Sequence, residues 1–347
     1  MKRPIVVKLG TSLVVGPGGK VRRAVLRERA REIAALVRAG DPVCVVSSGA
    51  IALGLPRLGL EQRPRAMPRL QAASALGQAR LQAAWDHALG LEGVPAAQVL
   101  LTADNISDRA AYVNAQNALA TLFGLHSVPI VNENDATATD EITFGDNDAL
   151  AAQVAVLVRA RLLVLLTEVE GVLTSAPGLP GAEVIADGSA IDEASLGEAT
   201  GLGKGGIRSK VVAARMAGAA GIPTVIAAGA GRDVLAPIVA GQHGGTRFVA
   251  SERSLPAWKL WIRFGKPAKA RLTVDEGARR AVADDGKSLL AVGVAACEGR
   301  FDAGDAVEIV GPDGVPFAKG IAATGSDELA RKPRGVEAIH RDRLVLY

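Results

Sequence analysis

Acidic and amide side chains are concentrated in two short clusters near the middle of the chain. The clusters are Asn132-Glu133-Asn134-Asp135 and Gly145-Asp146-Asn147-Asp148. The apolar run Val128 to Val131 leads into the first cluster, and a helix-forming run starts at Ala149 after the second. Open α/β sheets bind ligands beyond the carboxyl ends of their strands, so these side chains could coordinate Mg²⁺ on phosphates or pair with a substrate ammonium group. A solvated loop with helix caps is the simpler alternative.

Other predicted strand ends carry residues suited to phosphate. Lys8 and Gly10 end the first apolar strand. A glycine-rich turn precedes a predicted helix whose first turn holds Arg208 and Lys210. Glycine lets backbone N–H groups approach phosphate oxygens, and lysine is a movable cation. Lys8 lies in an apolar strand, so it needs an anionic partner unless its side chain reaches water. For Lys210 the simpler interpretation is a lysine on the solvent-exposed face of a helix.

These groups together favour phosphoryl transfer to an anionic acceptor. The common GxxxxGK[ST] and GxGxxG phosphate motifs do not follow the first strand. A hydroxyl acceptor normally requires a base that takes its proton, whereas a carboxylate acceptor is already ionised. A carboxylate instead requires relief of its repulsion with the γ-phosphate, which two lysines, Mg²⁺ and backbone N–H groups would provide.

Strands alternate with helices over roughly the first 250 residues, as in an α/β fold with an open, mostly parallel sheet and helices on both faces. Short strands separated by Gly, Pro and Asp turns follow, and they predict a small β-rich domain. The predicted domains are residues 1–252 and 266–347, joined by a linker over residues 253–265. In that linker, Trp258 and Trp261 are expected to pack the two domains together.

Composition narrows the functional classes. The chain has 347 residues, 49% of them hydrophobic, and a formal net charge of +4. No apolar run approaches the ~20 residues of a membrane helix, and Cys44 and Cys297 form no metal-binding pattern, so a cytoplasmic protein is expected. From Lys266 onward, 13 Lys and Arg balance 13 Asp and Glu, which makes nucleic acid an unlikely partner for this part.

Several motifs, in their order and spacing, resemble those of the glutamate 5-kinase family, a branch of the amino acid kinases. They are Val6-Val7-Lys8-Leu9-Gly10-Thr11-Ser12, Ser48-Gly49-Ala50-Ile51-Ala52, the two clusters described above and Gly201-Leu202-Gly203-Lys204-Gly205-Gly206. The tail, with Thr273-Val274-Asp275-Glu276-Gly277-Ala278 and His340-Arg341-Asp342, resembles a PUA domain. Acetylglutamate kinase and aspartokinase would instead show Lys-Xaa-Gly-Gly after the first strand.

The resemblance implies an enzyme that uses ATP and Mg²⁺ to phosphorylate the γ-carboxylate of L-glutamate, the first step toward proline. It implies catalytic roles for Lys8 and Lys210, with Asp148 orienting both. The residues implied in glutamate binding are Ser48, Asp135, Asn147 and Asp146. Those implied in ATP binding are Lys8, Gly10, Thr167, Glu168, Lys204, Gly205, Gly206, Ile207, Arg208, Ser209 and Lys210. No residue is assigned as a metal ligand.

The family also implies feedback inhibition by proline and a homo-oligomer, either a dimer or a tetramer. The chain departs from the family pattern in the nucleotide site, where Glu168 stands in place of Asp and where Lys204 and Arg208 add positive charge. Two alternatives remain open. One is an RNA-binding protein that acts through the PUA domain and the basic cluster Arg331, Lys332 and Arg334, and the other is an amino acid kinase with a different acceptor.

Overall fold

The computed structural model describes residues 2–347 except 103, 104, 107, 138–146, 193–205, 243, 253, 267, 332 and 334. The chain divides into two compact units, Met1–Ser254 and Leu255–Tyr347. The boundaries at residues 252 and 265 stay predictions. Among the described residues, no helix combines the length and the apolar character needed to cross a membrane.

The first unit is built on a parallel sheet. Its strands are β1 (Ile5–Leu9), β2 (Val15–Gly16), β3 (Lys20–Val21), β4 (Val43–Ser47), β5 (Ala96–Leu101), β6 (Val128–Glu133), β7 (Leu162–Thr167), β8 (Thr224–Ala228) and β9 (Thr246–Phe248). In the described part of the chain, seven strands form this sheet in the order β5-β6-β4-β1-β7-β8-β9. Only the β8–β9 pair is antiparallel, and β2 and β3 form a separate hairpin. The predicted α/β fold with a mostly parallel sheet is confirmed.

Helices follow most of these strands. They are α1 (Thr11–Val14), α2 (Arg23–Arg38), α3 (Ala50–Gly54), α4 (Met67–Gly90), α5 (Arg109–Gly124), α6 (Asn147–Leu157), α7 (Ile207–Ala219) and α8 (Leu235–Val239). The start of α5 shows how sequence sets a boundary, because the Asp108 carboxylate accepts a 2.8 Å hydrogen bond from the Ala111 amide. An N-cap of this kind satisfies a backbone N–H that the helix itself cannot.

The central strand β1 is buried on both faces. Ile5, Val7 and Leu9 belong to the core cluster formed with α2 and α4. Successive side chains of a strand point to opposite faces, so Lys8 lies on the other face, where it contacts α6. Helices therefore cover both faces of the sheet, and the Lys8 side chain is buried between β1 and α6.

Helices α3 and α4 cross with their backbones in contact. A side chain at Gly77 would overlap the carbonyl of Ala50, and one at Gly54 would overlap the carbonyl of Ala73. Glycine is required at both positions because nothing larger leaves the backbones this close. The contact fixes α4 against the loop that connects β4 to α3.

The second unit contains a five-stranded sheet, in the order β12-β10-β13-β14-β16 within the described residues, and a β11–β15 pair. Its strands are β10 (Ala270–Val274), β11 (Leu289–Leu290), β12 (Val294–Glu298), β13 (Ala306–Val310), β14 (Pro316–Ile321), β15 (Glu337–Ile339) and β16 (Leu344–Leu346). Its helices are α9 (Ala257–Leu260), α10 (Glu276–Ala283) and α11 (Ser326–Leu329). The predicted β-rich character is confirmed.

The segment predicted as a linker is structured. It forms α9 and a π-helical turn at Trp261–Gly265. Trp261 packs against a cluster that includes Ile321 and Val345 of the same unit, and Trp258 is exposed. Of the predicted basic cluster, Lys332 and Arg334 lie outside the described residues.

We expect Gly77→Ala to lower the free energy of unfolding by about 1–3 kcal/mol, because the new methyl group forces α3 and α4 apart. Gly90→Ala is the matched control on the same helix, since no atom lies within 4 Å of its added carbon. Urea denaturation of both variants measures the difference. Equal stability of the two variants would contradict the close crossing.

Candidate active site

Three buried charged side chains meet at the carboxyl edge of the sheet. Lys8, Asp148 and Lys210 are 2%, 0% and 6% exposed. One oxygen of Asp148 forms an ion pair with Lys8, and the other lies 3.0 Å from Lys210 Nζ. Burying a charge costs several kcal/mol unless it is paired, so this geometry stabilises two lysines through a single carboxylate. The three groups together carry two positive charges and one negative charge.

Each charge comes from a different element. Lys8 lies on β1, and Asp148 lies in the first turn of α6, where the helix dipole favours an anion. Lys210 lies in the first turn of α7, where that dipole disfavours a cation, so Asp148 offsets an unfavourable position. Ser209 donates a 2.9 Å hydrogen bond to the same Asp148 oxygen. The cluster is thus held from three directions.

A chain of hydrogen-bonded amides lies beside the lysines. Asn147 Nδ2 donates to Ser48 Oγ at 2.8 Å and to Asn132 Oδ1 at 2.9 Å. Asn132 Nδ2 in turn donates to Gln78 Oε1 at 2.8 Å. The predicted residues Ser48 and Asn147 are therefore in contact, and α4 connects to them through Gln78.

Asp135 lies at the opposite end of this polar region. Its carboxylate accepts a 2.6 Å hydrogen bond from Ser74 Oγ of α4. A cavity of about 320 Å³ adjoins it, lined also by Gln78, Gln98 and Glu133. A carboxylate among amides and hydroxyls is suited to an ammonium group of a small ligand.

Ser74 and Gln78 did not appear among the predicted site residues. Both are buried polar side chains, one turn apart on α4. Their signal in the sequence is the i, i+4 spacing of two polar residues within an Ala- and Leu-rich helix. That spacing alone does not distinguish a polar stripe that faces a binding site from one that faces solvent. Only the contacts with Asn132 and Asp135 in the folded chain identify these two residues as part of the site.

The predicted nucleotide residues occupy neighbouring strand ends. Gly10 follows β1, and Thr167 ends the adjacent β7. Glu168 Oε1 lies 3.5 Å from Arg22 Nη2, and both side chains reach solvent. Gly206 precedes α7 as its N-cap.

Four predicted nucleotide residues form the first turn of α7, namely Ile207, Arg208, Ser209 and Lys210. Ser209 and Lys210 contact Asp148, so this turn belongs to both the nucleotide prediction and the charged cluster. Asp146, Lys204 and Gly205 lie outside the described residues, and their predicted roles stay predictions.

Comparisons with known proteins agree in family and extent. The model of the amino acid kinase family matches residues 3–228, and that of the PUA domain matches residues 270–342. Glutamate 5-kinase of Gloeobacter violaceus is 44% identical over 98% of this chain and 98% of that protein. Glutamate 5-kinase of Sphingopyxis alaskensis is 45% identical over 99% of this chain and 97% of that protein. A solved isopentenyl phosphate kinase shares the fold, with a TM-score of 0.50, 20% identity and coverage of 71% of this chain and 99% of its own.

We expect Asp148→Asn to lower the free energy of unfolding by about 3–5 kcal/mol, because it removes the buried negative charge that both lysines contact. The matched control is Asp285→Asn, which breaks an exposed 2.8 Å pair with Lys287 and should cost at most about 1 kcal/mol. Urea denaturation compares the two. Similar losses would show that the Asp148 carboxylate is not the charge that holds the lysines.

Proposed function

The chain belongs to the glutamate 5-kinases of the amino acid kinase family, and we propose that it transfers the γ-phosphoryl group of ATP to the γ-carboxylate of L-glutamate. The products are L-glutamyl 5-phosphate and ADP, and the reaction belongs to proline biosynthesis. The observation that carries the proposal is the buried cluster of Lys8, Asp148 and Lys210.

The chemistry follows from the charges. A carboxylate oxygen attacks the γ-phosphorus and the bond to the β-phosphate oxygen breaks, while negative charge is spread over the oxygens of the transferring group and develops on the leaving oxygen. Lys8 and Lys210 stabilise this charge from fixed positions, which avoids reorganisation during the reaction. Asp148 acts through the lysines by holding them in place. Both its oxygens are engaged by cations, so its role is positioning rather than base catalysis.

Glutamate is held between the lysines and the amide chain. In this proposal Asp135 pairs with the substrate ammonium group, supported by its hydrogen bond from Ser74. Ser48 and Asn147 contact the substrate next to the transferring group, supported by their mutual 2.8 Å hydrogen bond. Asp146 contributes beside Asn147 as the resemblance implies.

The nucleotide occupies the ends of β1 and β7 and the start of α7. The N-terminus of α7 presents backbone N–H groups to phosphate oxygens, and Arg208 adds a positive charge. Thr167 and Glu168 hold the nucleoside side, with Lys204 and Gly205 as further predicted contacts. ATP is the phosphoryl donor expected of a member of this kinase family.

Mg²⁺ fits this site as a companion of ATP. Within the described residues, no group of three or more His, Cys, Asp or Glu side chains could hold a metal ion. Mg²⁺ commonly keeps its waters and binds substrate phosphates with one or two carboxylates, so a protein cage is not required. When bound, it neutralises phosphate charge.

We further propose that proline is a feedback inhibitor that binds at or beside the glutamate site. We also propose that the enzyme is a homo-oligomer.

An acceptor panel tests the reaction. Formation of ADP from ATP and Mg²⁺ should require L-glutamate and should not respond to aspartate, acetylglutamate or UMP, and proline should reduce it. Lys8→Met should lower kcat by about 10²–10³-fold, because a preorganised donor to the transition state is lost. A coupled ADP assay measures each rate. Stimulation by another acceptor but not by glutamate would refute the proposed substrate.

The two carboxylates should differ in kinetic effect. Asp148→Asn should lower kcat roughly 100-fold with little change in KM for glutamate, because the lysines lose their alignment. Asp135→Asn should raise KM for glutamate roughly tenfold or more, since a charged hydrogen bond to the ammonium group is lost. Ser74→Ala removes only the hydrogen bond that supports Asp135, and it should shift KM for glutamate in the same direction but less. Equal losses of kcat and affinity in both carboxylate variants would refute this division of roles.

A further inference from the structure

A loop beyond β8 is held by a buried ion pair that the proposed mechanism does not use. The loop spans residues 229–234 and is named here the β8 loop. Its middle residues, Gly231, Arg232 and Asp233, are exposed. From α2, about 200 positions earlier in the chain, Arg29 and Glu32 reach this loop, and they are 0% and 5% exposed. An exposed loop does not ordinarily need buried charges to hold it.

Arg29 and Glu32 form hydrogen bonds with the backbone of the β8 loop and with the first residue of α8. Arg29 donates to the carbonyl of Gly229 at 3.0 Å and to that of Gly231 at 2.6 Å. The Glu32 carboxylate accepts hydrogen bonds from the amides of Val234 at 2.9 Å and Leu235 at 3.0 Å. Arg29 and Glu32 are themselves 2.8 Å apart. The planar guanidinium thus holds two carbonyls in a fixed geometry, whereas the donors of a lysine ammonium rotate on a flexible stem.

This alignment determines where two amides point. In a trans peptide unit the carbonyl of one residue and the N–H of the next point in opposite directions. The carbonyls of Gly229 and Gly231 face Arg29, so the N–H groups of Ala230 and Arg232 face away from it. Neither amide has a hydrogen-bond partner in the part of the chain that the structure describes. Two N–H donors therefore project from the β8 loop on the side away from Arg29.

The β8 loop adjoins the proposed nucleotide site. The Gly229 amide donates a 2.7 Å hydrogen bond to the carbonyl of Thr167, the last residue of β7. Strands β7 and β8 are parallel neighbours, so their carboxyl ends lie at the same edge of the sheet. Outward-facing backbone N–H groups at this edge are suited to acceptor atoms of an anionic ligand.

Stability alone does not explain the ion pair. Burial lowers the pKa of the Arg29 guanidinium, and Glu32 opposes that effect, so desolvation of the arginine is substantial. Replacing a buried ion pair by apolar side chains is often neutral or stabilising. The exposed pair Arg31–Asp233, at 2.7 Å, adds a further contact from α2 to the same loop. What the charges add is a defined orientation of the loop backbone.

We propose that Arg29 and Glu32 are positioning residues for the nucleoside triphosphate, which they serve by holding the β8 loop so that the amides of Ala230 and Arg232 donate to it. The inference rests on the proposed function only for the identity of the ligand. It adds the β8 loop, held in place by α2, to a nucleotide site otherwise built from β1, β7 and α7.

The test removes both charges together. In the full chain, Arg29→Met combined with Glu32→Leu should fold, because no unpaired charge is left buried. We expect its Kd for ATP, measured calorimetrically without glutamate, to rise roughly tenfold, equivalent to about 1.4 kcal/mol. KM for ATP should rise in parallel, whereas KM for glutamate should stay within about twofold. Arg38→Met is the matched control, since Arg38 lies on the same helix but contacts Glu92, and its Kd for ATP should equal that of the parent chain.

A second variant covers the case in which the double variant fails to fold. Arg29→Lys keeps the charge beside Glu32 but loses the rigid donor fork that spans both carbonyls, so its Kd for ATP should rise severalfold with unchanged circular dichroism. An unchanged Kd for ATP in either folded variant overturns the inference. If the parent chain binds ATP but glutamate does not stimulate ADP formation, the proposed function fails while the positioning role is still decided by the ATP-binding data.

Discussion

The buried carboxylate of Asp148 is the constraint on which the rest of the first unit depends. It neutralises Lys8 from the central strand and Lys210 from the start of α7, and neither lysine could be buried there alone. The surrounding fold serves this contact. Apolar residues on the opposite face of β1 anchor the strand, and α6 delivers the carboxylate at its first turn, where the helix dipole favours it.

A second requirement is that the polar groups around the lysines keep their spacing. The backbone contact of α3 with α4 sets the distance from the Ser48 loop to Ser74 and Gln78, which hold Asp135 and Asn132 by hydrogen bonds. On the other side, α2 secures the β8 loop through Arg29. Helices distant from the proposed chemistry thus determine its geometry through a few short contacts.

The sequence was sufficient for the parts that local pattern controls. Alternating apolar runs and helical spacings predicted the parallel sheet, and a lysine ending an apolar strand pointed to an anionic partner. It was insufficient where a residue's meaning depends on distant contacts. Gln78 and Arg29 look like ordinary helix residues until the fold brings Asn132 and Gly229 against them. The segment around Trp261 was likewise predicted as a linker. Its helical structure depends on packing against Ile321 and Val345, which are distant in the sequence.

The charged cluster joins residue 8 to residue 210, and this separation affects how the protein is made. During synthesis β1 leaves the ribosome long before α7 exists, so an emerging chain carries Lys8 without the strands and helices that bury it. Parallel pairing of β1 with β4 and β7 requires long loops to close, a slow step compared with forming local hairpins. The site therefore cannot form before the chain has been synthesised through α7, and its presence marks a first unit in which β1, α6 and α7 have packed together.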